Sequence, residues 1–287
     1  KVTGDLYAKH GAQMHETPVS EEAFTGLAVG ASLLGLRPVV EIMYGDFSTL
    51  ASDPIINHAA KIRFMSAGQL SCPMVLRSPI GSGTGHGAQH TQCLEAMFAN
   101  IPGLIIVAPS CPGDAKALLK SAIRSNNPVL YFEHKHLYNN LGPVGDEQYL
   151  LPIGKAITKK RGKDVTIVSY SHAVTTCLEA SVRLSLQDEI EAEVIDLVTL
   201  KPMDTQTILR SVKKTGRLLV VHDSPEYGGY GAEVIACVTS DSEALAGLQA
   251  TPKRLCGKEL PIPFAPELET EVIPSTEEVM QAVRSLF

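Results

Sequence analysis

Residues 165–197, VTIVSYSHAVTTCLEASVRLSLQDEIEAEVIDL, contain two short apolar runs separated by a helical pattern. The runs cover residues 165–170 and 193–197. Between them an apolar stripe recurs at helical spacing, formed by Val174, Cys177, Leu178, Val182 and Leu184. A continuous apolar run suits a strand that is buried on both faces, as in a parallel sheet. The stretch therefore predicts a strand, a crossover helix and a second, parallel strand.

The same alternation extends along most of the chain. Further apolar runs, with helical segments between them, lie at residues 74–76, 104–107, 129–132 and 218–222. Residues 139–148, NNLGPVGDEQ, interrupt the pattern with turn-forming and charged residues, and a new series begins after Pro152. We therefore expect an α/β protein of two three-layer domains with mostly parallel sheets. The expected division is a first domain at 1–140, a linker at 141–151 and a second domain at 152–287.

The composition indicates a globular chain and excludes several classes of function. Of 287 residues, 44% are hydrophobic and 20% are charged, with a formal net charge of −6. No basic face is visible, so nucleic acid is not an expected partner. No apolar run is long enough to cross a bilayer, so we expect no membrane association. The six cysteines form no CxxC pair, which indicates reduced thiols in the cytoplasm or an organelle matrix.

A glycine-rich segment follows the apolar run at 74–76. This segment, residues 81–92 (GSGTGHGAQHTQ), is called the glycine loop below. A dinucleotide-binding pattern can be read from Gly83, Gly85 and Ala88. The next apolar run, however, is followed by Ala-Pro-Ser instead of the acidic residue that holds a ribose. The glycine loop is therefore a poor dinucleotide site.

Two other ligands were considered for the glycine loop. A phosphate loop of the Gly-x-x-x-x-Gly-Lys-Ser/Thr type is absent from the sequence. His86 and His90 are four residues apart, but no third zinc ligand follows at a recognisable spacing. From spacing alone, a histidine here could be solvated, structural or catalytic.

A helix start is predicted upstream, in residues 17–30, TPVSEEAFTGLAVG. Ser20 suits an N-cap, and Glu21 and Glu22 would lie at the positive end of the helix dipole. A surface helix of any function could begin in this way.

Eight short motifs follow one another along the chain. The first half carries EEAFTGLAVG (21–30), EIMYGDF (41–47), GAQHTQ (87–92) and SAIRSNNPV (121–129). The second half carries VTIVSYS (165–171), VIDL (194–197), LKPMD (200–204) and KTGR (214–217). Together they resemble the β subunit of the thiamine-diphosphate-dependent decarboxylase component of 2-oxo acid dehydrogenase complexes. The resemblance implies a transketolase-like pyrimidine-binding domain followed by a transketolase-like C-terminal domain.

The resemblance also implies roles for individual residues. Glu21 is expected to hold the pyrimidine ring nitrogen of thiamine diphosphate and to favour the imino tautomer that deprotonates the thiazolium carbon. Phe47 is expected to lie against the aminopyrimidine, and Met43 to line the same pocket. His90 is expected to transfer a proton or to position the intermediate for acyl transfer, and the role of His86 is left open. Without the resemblance, Met43 and Phe47 would be predicted as core residues.

A motif that is missing points to a partner. Such enzymes hold the cofactor diphosphate through magnesium with a Gly-Asp-Gly motif, which this sequence lacks. The resemblance therefore implies an α subunit that carries this motif, two α and two β chains in the assembly, and a lipoyl-bearing acyltransferase or acyl carrier. It also implies a monovalent cation, such as potassium, on carbonyls of Ala122 and Asn127. Ser125 stands where relatives often have Asp.

Substrate and catalytic competence are less specified. Pyruvate is the first candidate, and acetoin, branched-chain 2-oxo acids and biosynthetic acyl transfer remain as alternatives. A non-catalytic scaffold would need none of Glu21, Phe47 and His90. The adjacent residues His222, Asp223 and Ser224 are expected to end a strand near a subunit interface or near the approach of a lipoyl domain. They are not expected to form a triad, because three adjacent residues cannot all converge on one another and the sequence has no Gly-x-Ser-x-Gly turn. Relatives carry a further N-terminal strand and helix, so we expect the first sheet to be incomplete in this chain.

Overall fold

A computed structural model describes residues 3–146 and 148–287. Within them the chain forms two five-stranded sheets. The first has the order β1 (Val39–Glu41), β2 (Val75–Ile80), β4 (Val129–His134), β3 (Ile105–Val107), β8 (Thr199–Lys201). The second has the order β10 (Lys253–Gly257), β9 (Leu218–Pro225), β6 (Val165–Ser169), β7 (Ala192–Asp196), β5 (Ile157–Lys160). The pairs β3–β8 and β5–β7 are antiparallel, and the other pairs are parallel. The expectation of mostly parallel sheets is confirmed.

All six apolar runs of the sequence form strands, namely β2, β3, β4, β6, β7 and β9. Four further strands were not predicted, and they are the outer strands of the two sheets: β1, β8, β5 and β10. The inner strands are covered on both faces and are almost continuously buried, as in the fully buried β6 and β7. The outer strands are short or partly exposed and therefore carry no continuous apolar signal.

Helices flank both sheets. The described helices are α1 (Leu6–His10), α2 (Glu21–Leu33), α3 (Ile62–Met65), α4 (Glu95–Ala99), α5 (Pro112–Arg124), α6 (Ala173–Asp188), α7 (Thr205–Thr215), α8 (Gly231–Thr239), α9 (Ser242–Gly247), α10 (Pro266–Thr270) and α11 (Thr276–Arg284). None of these helices is long and apolar enough to span a membrane.

The helix predicted between the apolar runs at 165–170 and 193–197 is α6. Its buried stripe includes Val174, Cys177 and Leu184 but not Val182, which is 52% exposed. A strict four-residue spacing drifts around the helix because an α-helix has 3.6 residues per turn, so the prediction for Val182 was wrong.

The two halves of the chain are joined through β8. This strand lies in the second half of the sequence, yet it pairs with β3 and completes the edge of the first sheet. The Lys201 ammonium donates to the carbonyls of Ala99 and Ile101 at 2.6 and 2.8 Å. The division at 1–140, 141–151 and 152–287 stays a prediction, and β8 marks where the second half reaches into the first sheet.

Candidate active site

Two of the predicted site residues are brought together at one end of the first sheet. The Phe47 ring lies 5.2 Å from the imidazole of His90, centre to centre, in an edge-to-face contact. Phe47 lies in a short 3₁₀ turn, Gly45–Thr49, that follows β1. A Cβ on Gly45 would lie 2.5 Å from the Ile80 side chain, so only glycine lets this turn pack against the end of β2.

Tyr44 joins this contact, although sequence reasoning gave it no role. Its ring centre lies 4.7 Å from His90, 5.5 Å from His86 and 6.0 Å from Phe47. We call Tyr44, Phe47, His86 and His90 the aromatic cluster. The only available signal for Tyr44 was its position between Met43 and Phe47 in the motif EIMYGDF.

Glu21 and Met43 stand apart from these contacts. Glu21 is the first residue of α2 and is half-buried, and its carboxylate makes no hydrogen bond or ion pair with another described residue. Ser20 occupies the N-cap position, but its side chain makes no capping hydrogen bond. Met43 is 69% exposed, so a core assignment for it would have been wrong. Within the described chain, neither Glu21 nor Met43 makes a polar contact with the aromatic cluster.

The glycine loop needs its glycines for steric reasons. Gly81, Gly83, Gly85 and Gly87 all have positive φ, between +63° and +105°. A Cβ on Gly81 would lie 1.9 Å from the His134 imidazole nitrogen Nε2, and one on Gly87 would lie 2.6 Å from the Phe264 ring. Side chains at these positions would collide with the residues on which the loop rests.

Buried charged groups hold the glycine loop in place. The Glu269 carboxylate of α10, 3% exposed, accepts the backbone N–H groups of Gly83 and Gly85 at 2.8 and 3.2 Å. The Lys135 ammonium donates to the carbonyl of His90 and lies 5.3 Å from the centre of the Tyr44 ring. Burial lowers the pKa of Lys135. The loop is therefore anchored from both halves of the chain.

Behind the glycine loop lies a second group of imidazoles, at the carboxyl ends of three parallel strands. We call His134, His136, His172 and Asp223 the histidine cluster. Asp223 Oδ2 lies 2.9 Å from His172 Nδ1 and 3.2 Å from His134 Nε2. The three rings stack with centres 4.6 to 5.5 Å apart. His134 and Asp223 are buried.

The protonation of the histidine cluster follows from burial and from Asp223. Burial lowers the pKa of His134, and burial together with its two imidazole neighbours lowers the pKa of His136 to about 4. Burial also disfavours charge on His172, but Asp223 outweighs it and raises the pKa of that ring. Burial would raise the pKa of Asp223, yet the imidazoles of His172 and His134 hold it well below its usual range.

His134, His172 and Asp223 are close enough to be tested as metal ligands, with one ligand atom of each within 4.8 Å of the others. A metal-bound imidazole donates its second ring N–H to an acceptor. His134 Nδ1 instead accepts the backbone N–H of His136 at 3.3 Å, which places the ring proton on Nε2, facing Asp223. The arrangement fits an Asp223 carboxylate that is hydrogen-bonded to His172 and in close electrostatic contact with His134.

The adjacent residues His222, Asp223 and Ser224 lie at the end of β9, as expected for a strand end. Alternation along the strand turns His222 and Ser224 away from Asp223. His222 Nδ1 lies 2.9 Å from the Ser224 hydroxyl, and His222 Nε2 lies 3.4 Å from Cys256 Sγ. Burial lowers the pKa of His222 to about 4. Their nearness to a subunit interface stays a prediction.

Comparison with known proteins shows which domains and which family the chain resembles. The family model "Transketolase, pyrimidine binding domain" matches residues 2–140, and "Transketolase, C-terminal domain" matches residues 154–279. The chain is 43% identical, over 99% of its length and 83% of the relative, to the acetoin:2,6-dichlorophenolindophenol oxidoreductase subunit beta of Cupriavidus necator. It is 43% identical to the pyruvate dehydrogenase E1 component subunit beta of Porphyra purpurea, covering 100% of this chain and 86% of the relative. For the 2-oxoisovalerate dehydrogenase subunit beta of Bacillus subtilis the identity is 42%, with 100% and 88% covered.

The chain belongs to the transketolase-like family of E1 β subunits. The resemblance inferred from the sequence motifs and the expected fold are thereby confirmed. A solved structure, "Split gene transketolase, inactive beta4 tetramer", superposes with a TM-score of 0.82 over 99% of this chain and 87% of that chain. Its sequence identity is 20%, so it supports the fold alone.

In this E1 β-type chain a cavity of about 500 Å³ opens beside the end of the glycine loop. Gln92, the last residue of the loop, and the following Cys93 line one wall, and residues 258–262 line another. Asp223 contributes a third part of the lining. The cavity therefore lies between the glycine loop and the second half of the chain.

The turn predicted to hold a monovalent cation already contains a cationic side chain. The carbonyl of Ala122 accepts the backbone N–H of Ser125 at 3.1 Å, and that of Asn127 accepts the Ser125 hydroxyl at 3.2 Å. The Arg37 guanidinium donates to the carbonyls of Ile123 and Ser125 at 3.0 and 2.7 Å. Arg37 thus neutralises part of the negative potential at the carboxyl end of α5.

Proposed function

We propose that this chain is the β subunit of a thiamine-diphosphate-dependent 2-oxo acid dehydrogenase, and that pyruvate is its first candidate substrate. Most of the similar relatives are named for pyruvate. The observation that carries the proposal is the contact between Phe47 and His90, which joins two separate sequence motifs in one wall. Neither ring nitrogen of His90 has a hydrogen-bond partner among the described residues, so its imidazole is available to a substrate.

The residues present fit thiamine diphosphate. A cofactor of this kind needs a carboxyl group for its pyrimidine and apolar surface for its rings. Glu21 is half-buried and has no partner among the residues described, while Phe47 and Met43 offer apolar surface. The match to the pyrimidine-binding family model supports the same assignment.

The chemistry proposed for this chain divides among three residues. When bound, thiamine diphosphate supplies an electron sink for the carbanion left by decarboxylation. Glu21 would hold a proton at its carboxyl oxygen against the pyrimidine ring nitrogen. Phe47 would orient the aminopyrimidine by packing against it. His90 would donate or accept a proton at a ring nitrogen next to the substrate.

An α subunit with the Gly-Asp-Gly motif is the proposed partner, in an assembly of two α and two β chains. It would hold magnesium and the cofactor diphosphate. Large apolar side chains are exposed on the first half, including Leu27 (67%), Leu34 (87%) and Phe64 (90%). A Cβ on Gly26 or Gly30 of α2 would meet no atom within 4 Å among the described residues, which leaves room for a close-packed partner helix. A lipoyl-bearing acyltransferase or acyl carrier is the proposed acceptor.

Two smaller proposals accompany the main one. Potassium would bind carbonyls of Ala122 and Asn127 in addition to the Arg37 contacts. A rise in melting temperature of the chain in potassium chloride relative to choline chloride would support this, and equal melting temperatures would contradict it.

The proposed location is the cytoplasm or an organelle matrix, where the unpaired cysteines would stay reduced.

The test is a dye-reduction assay on the chain coexpressed with its natural α partner. Thiamine diphosphate and magnesium are added, and pyruvate, acetoin and 2-oxoisovalerate are compared by kcat/KM. The proposal expects turnover with pyruvate and a lower kcat/KM with the other two. Acetoin is the second candidate, because a relative at 43% identity is named for it. An assembled, cofactor-loaded complex that turns over none of the three would refute the proposed function.

A further inference from the structure

The glycine loop carries His90, yet backbone in such a loop is normally free to move. Its four glycines offer little conformational restraint, because glycine occupies both signs of φ. In this chain the loop is nevertheless contacted at its start, middle and end by side chains from outside it. The contacts come from Glu269, Phe264 and Lys135.

At the start of the loop, one side-chain carboxylate accepts hydrogen bonds from two backbone amides. Glu269 Oε1 accepts the Gly83 N–H at 2.8 Å, and Oε2 accepts the Gly85 N–H at 3.2 Å. The carboxylate belongs to α10 in the second half of the chain and is almost fully buried. Hydrogen bonds from N–H groups to a buried carboxylate are among the stronger ones in proteins. One side chain therefore fixes two backbone positions of the loop.

At the end of the loop, a buried ammonium group donates a hydrogen bond to a backbone carbonyl. Lys135, 6% exposed, follows β4 and donates to the carbonyl of His90. Between the two charged contacts, the Phe264 ring packs against Gly87. The Thr91 hydroxyl closes the turn by donating to the Gly87 carbonyl at 2.7 Å.

We propose that Glu269 is a positioning residue: together with Lys135 it clamps the glycine loop between the two halves of the chain and so fixes the imidazole of His90. Glu269 acts on His90 only indirectly, through its hydrogen bonds to the backbone of the glycine loop. The clamp is a property of this chain alone. Its effect on His90 chemistry rests on the proposed function.

The test compares Glu269→Gln with Glu271→Gln in the 287-residue chain. Gln keeps the shape of Glu but offers one acceptor oxygen in place of two, so one glycine amide loses its partner. Glu271, two residues along, is exposed and only 3.7 Å from Lys258 in a surface ion pair, which makes it a matched control. Hydrogen exchange is followed by mass spectrometry on peptides across the chain.

The clamp predicts that exchange in the segment 81–92 rises about tenfold to a hundredfold in Glu269→Gln. The same segment should be unchanged in Glu271→Gln, and β6 and β7 should be unchanged in both variants. Equal exchange in both variants would overturn the clamp, and so would a rise spread evenly over both halves. In the unmodified chain, Gly83 and Gly85 amides must be protected relative to exposed loop amides, and absence of that protection would overturn it without any variant.

Activity of the coexpressed complex then tests the link to His90. Glu269→Gln should lower kcat about tenfold to a hundredfold, because small displacements of a catalytic group are costly. Its dissociation constant for thiamine diphosphate should stay within about twofold of the unmodified complex, as Glu21 and Phe47 are untouched. Unchanged kcat in a variant with a loosened loop would overturn the positioning role. An inactive unmodified complex would refute the proposed function, while the exchange result would still decide the clamp.

Discussion

The aromatic cluster and the histidine cluster both contact the glycine loop, but they are built in opposite ways. In the aromatic cluster the polar atoms of the His90 ring have no partner among the described residues, and the rings touch mainly edge to face. In the histidine cluster the rings stack, and His134 and His172 both face one buried carboxylate. Imidazole is present in both places, so residue type does not distinguish a reactive group from a supporting one.

The difference suggests a rule for this molecule. Groups without partners, such as Glu21 and His90, are expected to act on a cofactor or substrate. Interlocked groups, such as His134 and Asp223, are expected to hold the loop and to join the two halves. Substitutions of the first kind should change turnover with little change in stability, whereas substitutions of the second kind should lower stability.

The largest effect is expected for Glu21→Gln. It should lower kcat of the coexpressed complex by about 10²- to 10⁴-fold, the range typical of a lost acid–base group, with no loss of assembly. Stability should be nearly unchanged because Glu21 makes no polar contact within the described chain. The neighbouring exposed residue provides the control, and Glu22→Gln should keep near-normal turnover. Near-normal turnover in Glu21→Gln would remove Glu21 from the mechanism.

Gly81→Ala tests the packing of the glycine loop against the histidine cluster. The new Cβ would lie 1.9 Å from His134 Nε2, at a φ of +77°. Strain and overpacking together should lower the free energy of unfolding by about 4 kcal/mol, measured in urea. The exposed Gly247, with no described atom near its Cβ position, is the control, and Gly247→Ala should change stability by less than about 1 kcal/mol. Equal stability of the two variants would contradict the packing described here.

Asp196 is expected to make the stability of the junction between the halves depend on pH. It accepts a hydrogen bond from Ser110 of the first half at 2.5 Å, and burial raises its pKa to about 6 although Lys159 acts in the other direction. A carboxyl group with a raised pKa contributes stability below its unfolded pKa and loses it as pH rises. The stability of the unmodified chain relative to Asp196→Asn should therefore fall by on the order of 2 to 3 kcal/mol between pH 4 and pH 7.

Urea unfolding of both chains at several pH values would measure this difference. The exposed Asp53 gives a control of opposite sign, because the hydrogen bond from Asn57 lowers its pKa. Relative to Asp53→Asn, the unmodified chain should gain stability as pH rises. If the difference in unfolding free energy between the unmodified chain and Asp196→Asn does not vary with pH, the junction does not contain a buried carboxyl group with a raised pKa.

The smallest effect is expected for Gly30→Ala, on the surface proposed to meet the partner. In the isolated chain this substitution should raise the free energy of unfolding by about 0.5–1 kcal/mol, because alanine favours a helix interior. In the presence of the α subunit it should weaken assembly, since the added methyl group occupies the space left for a partner. Unchanged assembly, measured by sedimentation, would place the interface elsewhere.

The central strands of both sheets could be predicted from the sequence, and the edges could not. Strands such as β6 and β7 are buried on both faces and leave an apolar run. β8 has only three residues and ends in Lys201, and its place in the first sheet depends on folding of the whole chain. Such a pairing between distant segments has no local pattern in the sequence.

The site shows the same division. Motifs in the sequence indicated Phe47 and His90, and the structure places them in contact. The histidine cluster was missed, because His134, His172 and Asp223 lie at or just after the ends of three different strands and become neighbours only when the two sheets meet. The available signal was a polar residue one or two positions after each buried apolar run, at the carboxyl ends of parallel strands. The roles of Glu21, Met43, Phe47 and His90 all stay proposals.

The most direct test of the account is thiamine diphosphate binding, measured by calorimetry with magnesium present, for the isolated chain and for its complex with the α subunit. The account holds that this chain supplies Glu21 and Phe47 to a site that the partner completes. It predicts tight binding by the complex and no measurable binding by the isolated chain. Binding by the isolated chain as tight as that of the complex would contradict the shared site.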